Sequence, residues 1–187
     1  MAHFEAIALD VDGTLLDSTE VSVQVLYRTL REAGLDVSME DLHFAHHATD
    51  KQVWQHFGIG HREEELLALM QRIEGPLMAT QKPFAGALEL IPRLKEKGLF
   101  TALVSNRTDI QLTGDPILAP LLSQVDLWVS CETVGAGKPD SAPLLYFLEK
   151  ADCEAERALL LGDSPSDGQA ARGAGMAFAL SLWGALD

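Results

Sequence analysis

The sequence is poor in cysteine and has no long apolar segment. Its 187 residues include 2 cysteines, Cys131 and Cys153, which form neither a C-x-x-C pair nor a zinc-binding pattern. This excludes a disulfide scaffold and favours a reducing compartment. No apolar stretch approaches the ~18 residues of a membrane span, and the apolar run at 6–9 is too short for a signal peptide. We therefore expect a soluble, cytoplasmic protein.

Positive charge is also scarce. The chain has 14 Lys and Arg against 28 Asp and Glu, which gives a formal net charge of −14. Such a charge repels nucleic-acid phosphates and anionic lipid, so we expect neither nucleic acid nor a membrane as a partner. The 47% of hydrophobic residues is ordinary for a chain that buries a core. Composition leaves a monomer and a small homo-oligomer equally open.

Two patterns of apolar residues divide the chain. In residues 1–16 and 83–187, short apolar runs alternate with helical segments. This alternation predicts an α/β core, a Rossmann-like parallel sheet flanked by helices. Residues 17–82 instead carry apolar stripes at helical spacing and no strand pattern, which predicts an inserted α-helical cap.

Turn and capping signals add detail to the cap. The pair Gly75-Pro76 predicts that its last helix bends or breaks there. Ser38 with Asp41, and Thr49 with Gln52, have the spacing of capping boxes, in which two residues three apart close a helix N-terminus.

Polar side chains follow four of the predicted strands. In a parallel sheet these strand ends meet at one edge, where ligands bind. The residues are Asp10 and Asp12 after the first strand, Ser105 and Asn106 after Phe100–Val104, Lys138 after Leu127–Val129 and a glycine-containing loop, and Asp163 and Asp167 after Ala158–Leu161.

Four carboxylates in one crevice need compensation. At ~5 Å and an effective dielectric of ~20, each pair of carboxylates repels by about 3 kcal/mol. Lys138 supplies one positive charge, and Mg²⁺ would supply two while accepting carboxylate and phosphate oxygens as ligands. The sequence therefore predicts a Mg²⁺ site at this edge of the sheet.

These residues carry a resemblance to a known family. The segment Asp10-Val11-Asp12-Gly13-Thr14 resembles the DxDGT motif of the haloacid dehalogenase-like (HAD) phosphohydrolases. Ser105, Lys138 in Gly137-Lys138-Pro139, and the segment 162–167 (GDSPSD) resemble the family's second, third and fourth motifs. The resemblance covers nearly the whole chain. It is strongest to the phosphoglycolate phosphatase-like and beta-phosphoglucomutase-like group, whose helical C1 cap lies at the same place in the chain.

The resemblance implies a Mg²⁺-dependent phosphatase that hydrolyses a small phosphorylated metabolite through an aspartyl-phosphate. It assigns Asp10 as the nucleophile and Asp12 as the general acid and base, with Ser105 and Lys138 as the other catalytic residues. It further implies that Mg²⁺ binds Asp10, Asp163 and Asp12, the last through its carbonyl oxygen. Asp167 would act from the second shell, on the waters of the metal or on Lys138. The residues implied to bind substrate or support its loop are Gly13, Thr14, Ser105, Asn106 and Lys138.

The same residues also bear on the other activities found in the superfamily. Asp12 argues against carbon–halogen cleavage, because the dehalogenases lack an acid at that position. A phosphonatase would need a cap lysine, for which Lys51 and the boundary residue Lys82 are the candidates. A sugar-phosphate mutase on the same site remains an alternative. So does a non-hydrolytic phosphate-binding or regulatory domain similar to a response-regulator receiver, although receivers lack a helical insertion after the first acidic pair.

Substrate selection is expected to involve the cap. The residues with suitable side chains are His46, His47, Lys51 and Arg62, together with Arg107 of the core. For Arg62 the simpler interpretation is an ion pair with a neighbouring glutamate on its own helix. Trp54 is similarly expected to pack in the core of the cap.

Overall fold

The chain divides into two units. The structure is a computed structural model that describes residues 4–47 and 50–184. One unit combines Met1–Asp17 with Lys82–Asp187, and the other is Ser18–Gln81. The boundaries expected from the sequence lie one residue away from these.

A five-stranded sheet organises the first unit. All of its neighbouring strands are parallel, and the order β5-β4-β1-β6-β7 places the first strand of the chain at the centre. The α/β fold predicted from the alternating pattern is thus confirmed. Numbered in chain order, the strands are β1 Ala6–Leu9, β4 Phe100–Val104, β5 Leu127–Val129, β6 Ala158–Gly162 and β7 Ala177–Leu180.

Helices cover both faces of this sheet because successive side chains of β1 point to opposite sides. Ala6 and Ala8 pack towards the helices α7 (Ala142–Ala151) and α8 (Pro165–Ala174). Ile7 and Leu9 pack in a second cluster on the other face. That face is covered by α4 Ala87–Glu96, α5 Asp109–Thr113 and α6 Leu118–Leu122. A 3-10 turn at Ala155–Arg157 precedes β6.

The Ser18–Gln81 unit is helical. Its elements are α1 Thr19–Glu32, a 3-10 helix at Glu40–His47, α2 Asp50–His56, a 3-10 turn at Gly60–Arg62 and α3 Glu63–Met78. Trp54 is 1% exposed and packs in this unit's own apolar core with Leu30 and Leu66, as predicted. In the described part of the chain, no helix is both long enough and apolar enough to span a bilayer.

Three details of this region can be compared with the predictions. Ser38 and Asp41 do bond to each other: Asp41 Oδ2 accepts from the Ser38 amide and hydroxyl, both at 2.7 Å. The second capping box involves Thr49, which lies outside the described residues. The predicted helix break at Pro76 is wrong, because α3 continues to Met78. Its apolar stripe, which includes Leu77, is buried on both sides of the proline and holds the helix together.

The prediction that the inserted region begins and ends without strands is also wrong. Its boundary residues pair as two short antiparallel strands, β2 Leu16–Asp17 and β3 Lys82–Pro83. Strands of two residues have no measurable alternation, so only their pairing in the fold reveals them.

Candidate active site

A buried ion triad lies at the carboxyl edge of the sheet. Asp10 follows β1, and its Oδ1 atom accepts a hydrogen bond from Lys138 Nζ at 2.5 Å. The same ammonium lies 2.6 Å from Asp167 Oδ1. The side chains of Asp10, Lys138 and Asp167 are 9%, 3% and 0% exposed, so their charges interact out of contact with bulk water. The structure thus brings together side chains from three distant parts of the sequence, as the strand ends predict.

The turn after β6 explains how Asp167 reaches this position. Ser164 is the N-cap of α8, and its hydroxyl accepts from the Asp167 amide at 3.3 Å. Asp167 Oδ2 in turn accepts from the Ser164 amide at 3.1 Å, which completes a capping box. Pro165 occupies the first turn of the helix, where it requires no amide partner. One oxygen of Asp167 therefore closes the helix, while the other contacts Lys138.

A third carboxylate, that of Asp163, joins the triad. One oxygen each of Asp10, Asp163 and Asp167 lies within 4.8 Å of the others. Gly13 makes room for this approach: a Cβ atom there would lie 2.0 Å from Asp163 Oδ2, and its φ of 72° is left-handed. Glycine is thus required at this position for both space and conformation.

The electrostatics of the cluster fit a divalent cation. Burial, the largest effect, raises the pKa of Asp10 well above its usual value; Lys138 opposes this, and Asp167 adds to it. Burial and then Asp167 raise the pKa of Asp163 to about 6. Burial would lower the pKa of Lys138, but Asp10 and Asp167 outweigh it and raise that pKa, so the ammonium stays charged. Three carboxylates around one ammonium leave uncompensated negative charge that a cation with oxygen ligands would neutralise.

Asn106 fixes the backbone of Lys138. Its amide nitrogen donates to the Lys138 carbonyl at 2.8 Å, and its Oδ1 accepts from the Lys138 amide at 2.7 Å. Ser105, at the end of β4, is 3% exposed, and its hydroxyl accepts from the Arg107 amide at 3.2 Å. The motif after β4 therefore positions the lysine as well as presenting a hydroxyl at the strand end.

Asp12 does not join the triad but faces Arg107. The guanidinium donates from Nε to Asp12 Oδ2 at 2.8 Å and from Nη2 to Asp12 Oδ1 at 2.5 Å. Its Nη1 donates to Asp115 Oδ2 at 2.9 Å. Arg107 is thus a buried cation between two acids.

The loop 10–14 is supported from the far end of the chain. The Thr14 hydroxyl is buried and lies 3.2 Å from Ser181 Oγ. Trp183 Nε1 donates to the Thr14 carbonyl at 3.0 Å, although the residue is 57% exposed. Gly184 passes so close to the Gly13 carbonyl that any side chain at 184 would collide with it. This is the loop-supporting role expected of Thr14.

The predicted contacts of the helical unit have varied outcomes. Arg62 pairs with the neighbouring Glu65, as the simpler interpretation predicts, with Nε and Nη2 donating at 2.9 and 2.7 Å, although Arg62 lies in the 3-10 turn just before α3. Lys51 is exposed. The side chains of His46 and His47 lie outside the described residues.

Sequence reasoning missed three polar residues near this edge: Asp115, Ser181 and Trp183. Asp115 precedes a proline and so reads as an ordinary turn residue. Ser181 and Trp183 follow β7, so the rule that ligands bind beyond strand ends could have identified them. The sequence makes Arg107 a candidate substrate contact, whereas in the structure its guanidinium contacts the carboxylates of Asp12 and Asp115.

Comparison with known proteins identifies relatives of this chain. A family model described as haloacid dehalogenase-like hydrolase matches residues 7–181. The chain is 32% identical over 191 residues to a phosphoglycolate phosphatase of Aquifex aeolicus, which covers 95% of this chain and 84% of that one. It is 30% identical over 182 residues to a phosphoglycolate phosphatase of Agrobacterium fabrum, which covers 88% of this chain and 75% of that one.

A solved structure shows the same fold. A crystal structure of a Lactobacillus plantarum protein aligns with a TM-score of 0.88 at 25% identity, over 97% of this chain and 88% of that one. The match therefore extends over both units of the chain and not only over the sheet.

Proposed function

The chain belongs to the haloacid dehalogenase-like hydrolases and is a phosphohydrolase, and we propose that it hydrolyses a small phosphomonoester with Asp10 as the nucleophile. The observation that carries the proposal is the buried contact of Asp10 with Lys138. The lysine ammonium at 2.5 Å favours the ionised form of Asp10 and so opposes burial, which raises the pKa of this carboxyl. A nucleophile must be ionised to attack.

Two proton transfers complete the reaction. One oxygen of Asp10 attacks phosphorus, the ester P–O bond breaks, and the bonding electrons go to the leaving oxygen. Asp12 donates a proton to that oxygen, which leaves as an alcohol. Asp12, now a carboxylate, takes a proton from the water that attacks phosphorus, and the bond from Asp10 to phosphorus breaks to release inorganic phosphate.

The surrounding residues supply positive charge and donors for the phosphoryl oxygens. Lys138 offsets the charge on the nucleophile and on the transferring group. The Ser105 hydroxyl and the backbone amide of Asn106 are the proposed donors to phosphate oxygens. Asp10, Asp163 and the carbonyl of Asp12 would hold Mg²⁺, which when bound neutralises negative charge in the site.

The relatives suggest which ester to test first. Since both relatives described above are phosphoglycolate phosphatases, 2-phosphoglycolate heads the panel of substrates. The rest of the panel should vary the alcohol, with sugar phosphates, glycerol phosphates and 4-nitrophenyl phosphate, because the alcohol is the part that a helical cap would select.

The test is phosphate release from this panel by the wild-type protein and Asp10→Asn, with Mg²⁺ and with chelator. We expect metal-dependent release that falls by at least ~10³-fold in Asp10→Asn, which keeps the shape of the side chain but not its nucleophilic charge. Asp36→Asn is the matched control, because its side chain is 100% exposed.

Two results would contradict the proposal. If no ester released phosphate while a sugar phosphate was isomerised, the site would be that of a mutase. Equal release by the wild type and Asp10→Asn would remove Asp10 from the reaction.

A further inference from the structure

Both oxygens of the Asp12 carboxylate contact one guanidinium. Arg107 donates to them from Nε and Nη2, at 2.8 and 2.5 Å. Such a two-point contact fixes both the position and the plane of a carboxylate, which a single hydrogen bond does not.

The arginine is itself fixed from behind. Its Nη1 donates to Asp115 Oδ2 at 2.9 Å, and the Asp115 side chain is 1% exposed. Asp115 Oδ1 accepts from the Ile117 and Leu118 amides at 2.8 and 3.2 Å, so it also anchors the start of α6. Asp115 therefore cannot follow a movement of the arginine without disrupting that helix.

Exposure shows which of the three side chains can be reached from solvent. The side chains of Arg107 and Asp115 are 5% and 1% exposed, whereas that of Asp12 is 38% exposed. The guanidinium is thus a fixed platform, and Asp12 is the partner that faces solvent and any bound ester.

A buried arginine between two acids is weak evidence for a contribution to stability. Replacing buried ion pairs with apolar residues of similar volume is often neutral or stabilising. The arrangement is better explained by what it does to Asp12.

We propose that Arg107 is a positioning residue for Asp12 and that Asp115 holds Arg107 in place for this task; the proposal rests on the proposed function above. When one oxygen of Asp12 carries the proton, the other still accepts from the guanidinium, so the protonated oxygen is directed towards the leaving group. As the proton moves to the leaving oxygen and the ester bond breaks, both oxygens of Asp12 can return to Arg107.

The test uses two esters that differ in their need for an acid. An alkyl phosphate must have its leaving oxygen protonated, whereas 4-nitrophenyl phosphate has a leaving group that departs as an anion. The quantity measured is kcat/KM for each ester, since this constant reports the steps up to departure of the leaving group. The ratio of the two constants within one preparation does not depend on how much of the protein is folded.

For Arg107→Gln we expect kcat/KM for the alkyl ester to fall ~10–100-fold, a part of the 10²–10⁴-fold that an acid provides. The value for 4-nitrophenyl phosphate should change less than ~3-fold. Arg107→Lys keeps the charge but not the two-point contact and should lower the ratio in the same direction. In an Asp12→Asn background, Arg107→Gln should lower the alkyl value no further. Arg93→Gln, an exposed arginine of α4, is the control.

A fall of equal size for both esters would overturn the proposal, because a direct contact with the phosphate or a purely structural role acts on both. If Arg107→Gln does not fold, the ratio for Arg107→Lys decides alone, and an unchanged ratio there refutes the positioning role. The proposed function fails separately, if wild-type protein releases no phosphate or if Asp10→Asn is as active as wild type.

Discussion

Removal of the Lys138 ammonium tests the buried triad most directly. Lys138→Met keeps much of the side-chain volume and removes the charge that lies 2.5 Å from Asp10 and 2.6 Å from Asp167. The two carboxylates would then stay buried, close to each other and without this partner.

The expected loss follows from how the site can relieve that charge. Breaking a buried pair by removing one partner costs about 3–5 kcal/mol. The site can instead keep one carboxyl protonated. With an ordinary pKa of ~3.9, this costs about 4 kcal/mol at pH 7 and about 1.4 kcal/mol less for each unit by which the pH falls. Lys138→Met should therefore lose 3–4 kcal/mol at pH 7 and about 2 kcal/mol at pH 5.5.

The assay is urea unfolding in excess EDTA at both pH values, because a bound cation would mask the missing charge. Circular dichroism follows both units, and Trp128 and Trp183 add fluorescence from the unit that contains the site, whereas Trp54 belongs to the helical unit. Lys150→Met is the matched control, since Lys150 is 43% exposed and contacts surface partners, Glu149 at 3.2 Å and the Tyr146 ring at 4.9 Å. It should change stability by less than 1 kcal/mol.

Two results would refute this reasoning. A loss below about 1 kcal/mol at pH 7 would mean that the carboxylates find another partner. A large loss that is the same at pH 5.5 would trace the effect to packing and not to unpaired charge. The double variant Lys138→Met with Asp167→Asn should recover at least half of the loss, because only one unpaired acid remains.

Two further predictions concern space and protonation. A Cβ at Gly162 would lie 2.5 Å from Asp167 Cγ, so Gly162→Ala should lower the free energy of unfolding by about 1–3 kcal/mol and abolish most of the activity. At Gly168 the nearest atom to a Cβ is 3.4 Å away, so Gly168→Ala is the control. Gly168→Ala should be neutral in urea unfolding and in phosphate release. Burial, and then Glu74, raise the pKa of Asp50 to about 6. The folded unit thus holds this proton more tightly than the unfolded chain. Protonation of Asp50 therefore stabilises the folded state below pH ~4, and this stabilisation is lost as the pH rises to 6. Asp50→Asn should raise the free energy of unfolding by up to about 3 kcal/mol at pH 7 and by little at pH 4. The measurement is urea unfolding followed through tryptophan fluorescence. A gain that is the same at both pH values would contradict the raised pKa of Asp50.

The sheet and the triad were predictable because they depend on patterns within short segments. Each core strand is a run of apolar residues that ends in a polar one, and the parallel sheet brings those ends to one edge. The motif at 162–167 even contains its own capping box, so the position of Asp167 follows from local sequence.

The remaining features depend on contacts between distant segments. Arg107 and Asp115 lie 8 positions apart, on either side of the short helix α5, so their pairing depends on the turns around that helix and not on a local pattern. The pairing of β2 with β3 likewise depends on the fold, which brings the two ends of the inserted region together. The break expected at Pro76 was wrong because burial of the flanking apolar residues outweighs the missing amide.

The place of β1 in the sheet sets an order of assembly during translation. Its neighbours β4 and β6 begin at Phe100 and Ala158, and the hydrogen bond from Trp183 to the loop 10–14 spans 169 residues. The Ser18–Gln81 unit is continuous in sequence, so its internal contacts are all available once it has left the ribosome. Contacts between distant segments form late. Asp10 is therefore synthesised before the segments that surround it, and its surroundings are completed only when β7 and the segment after it have emerged.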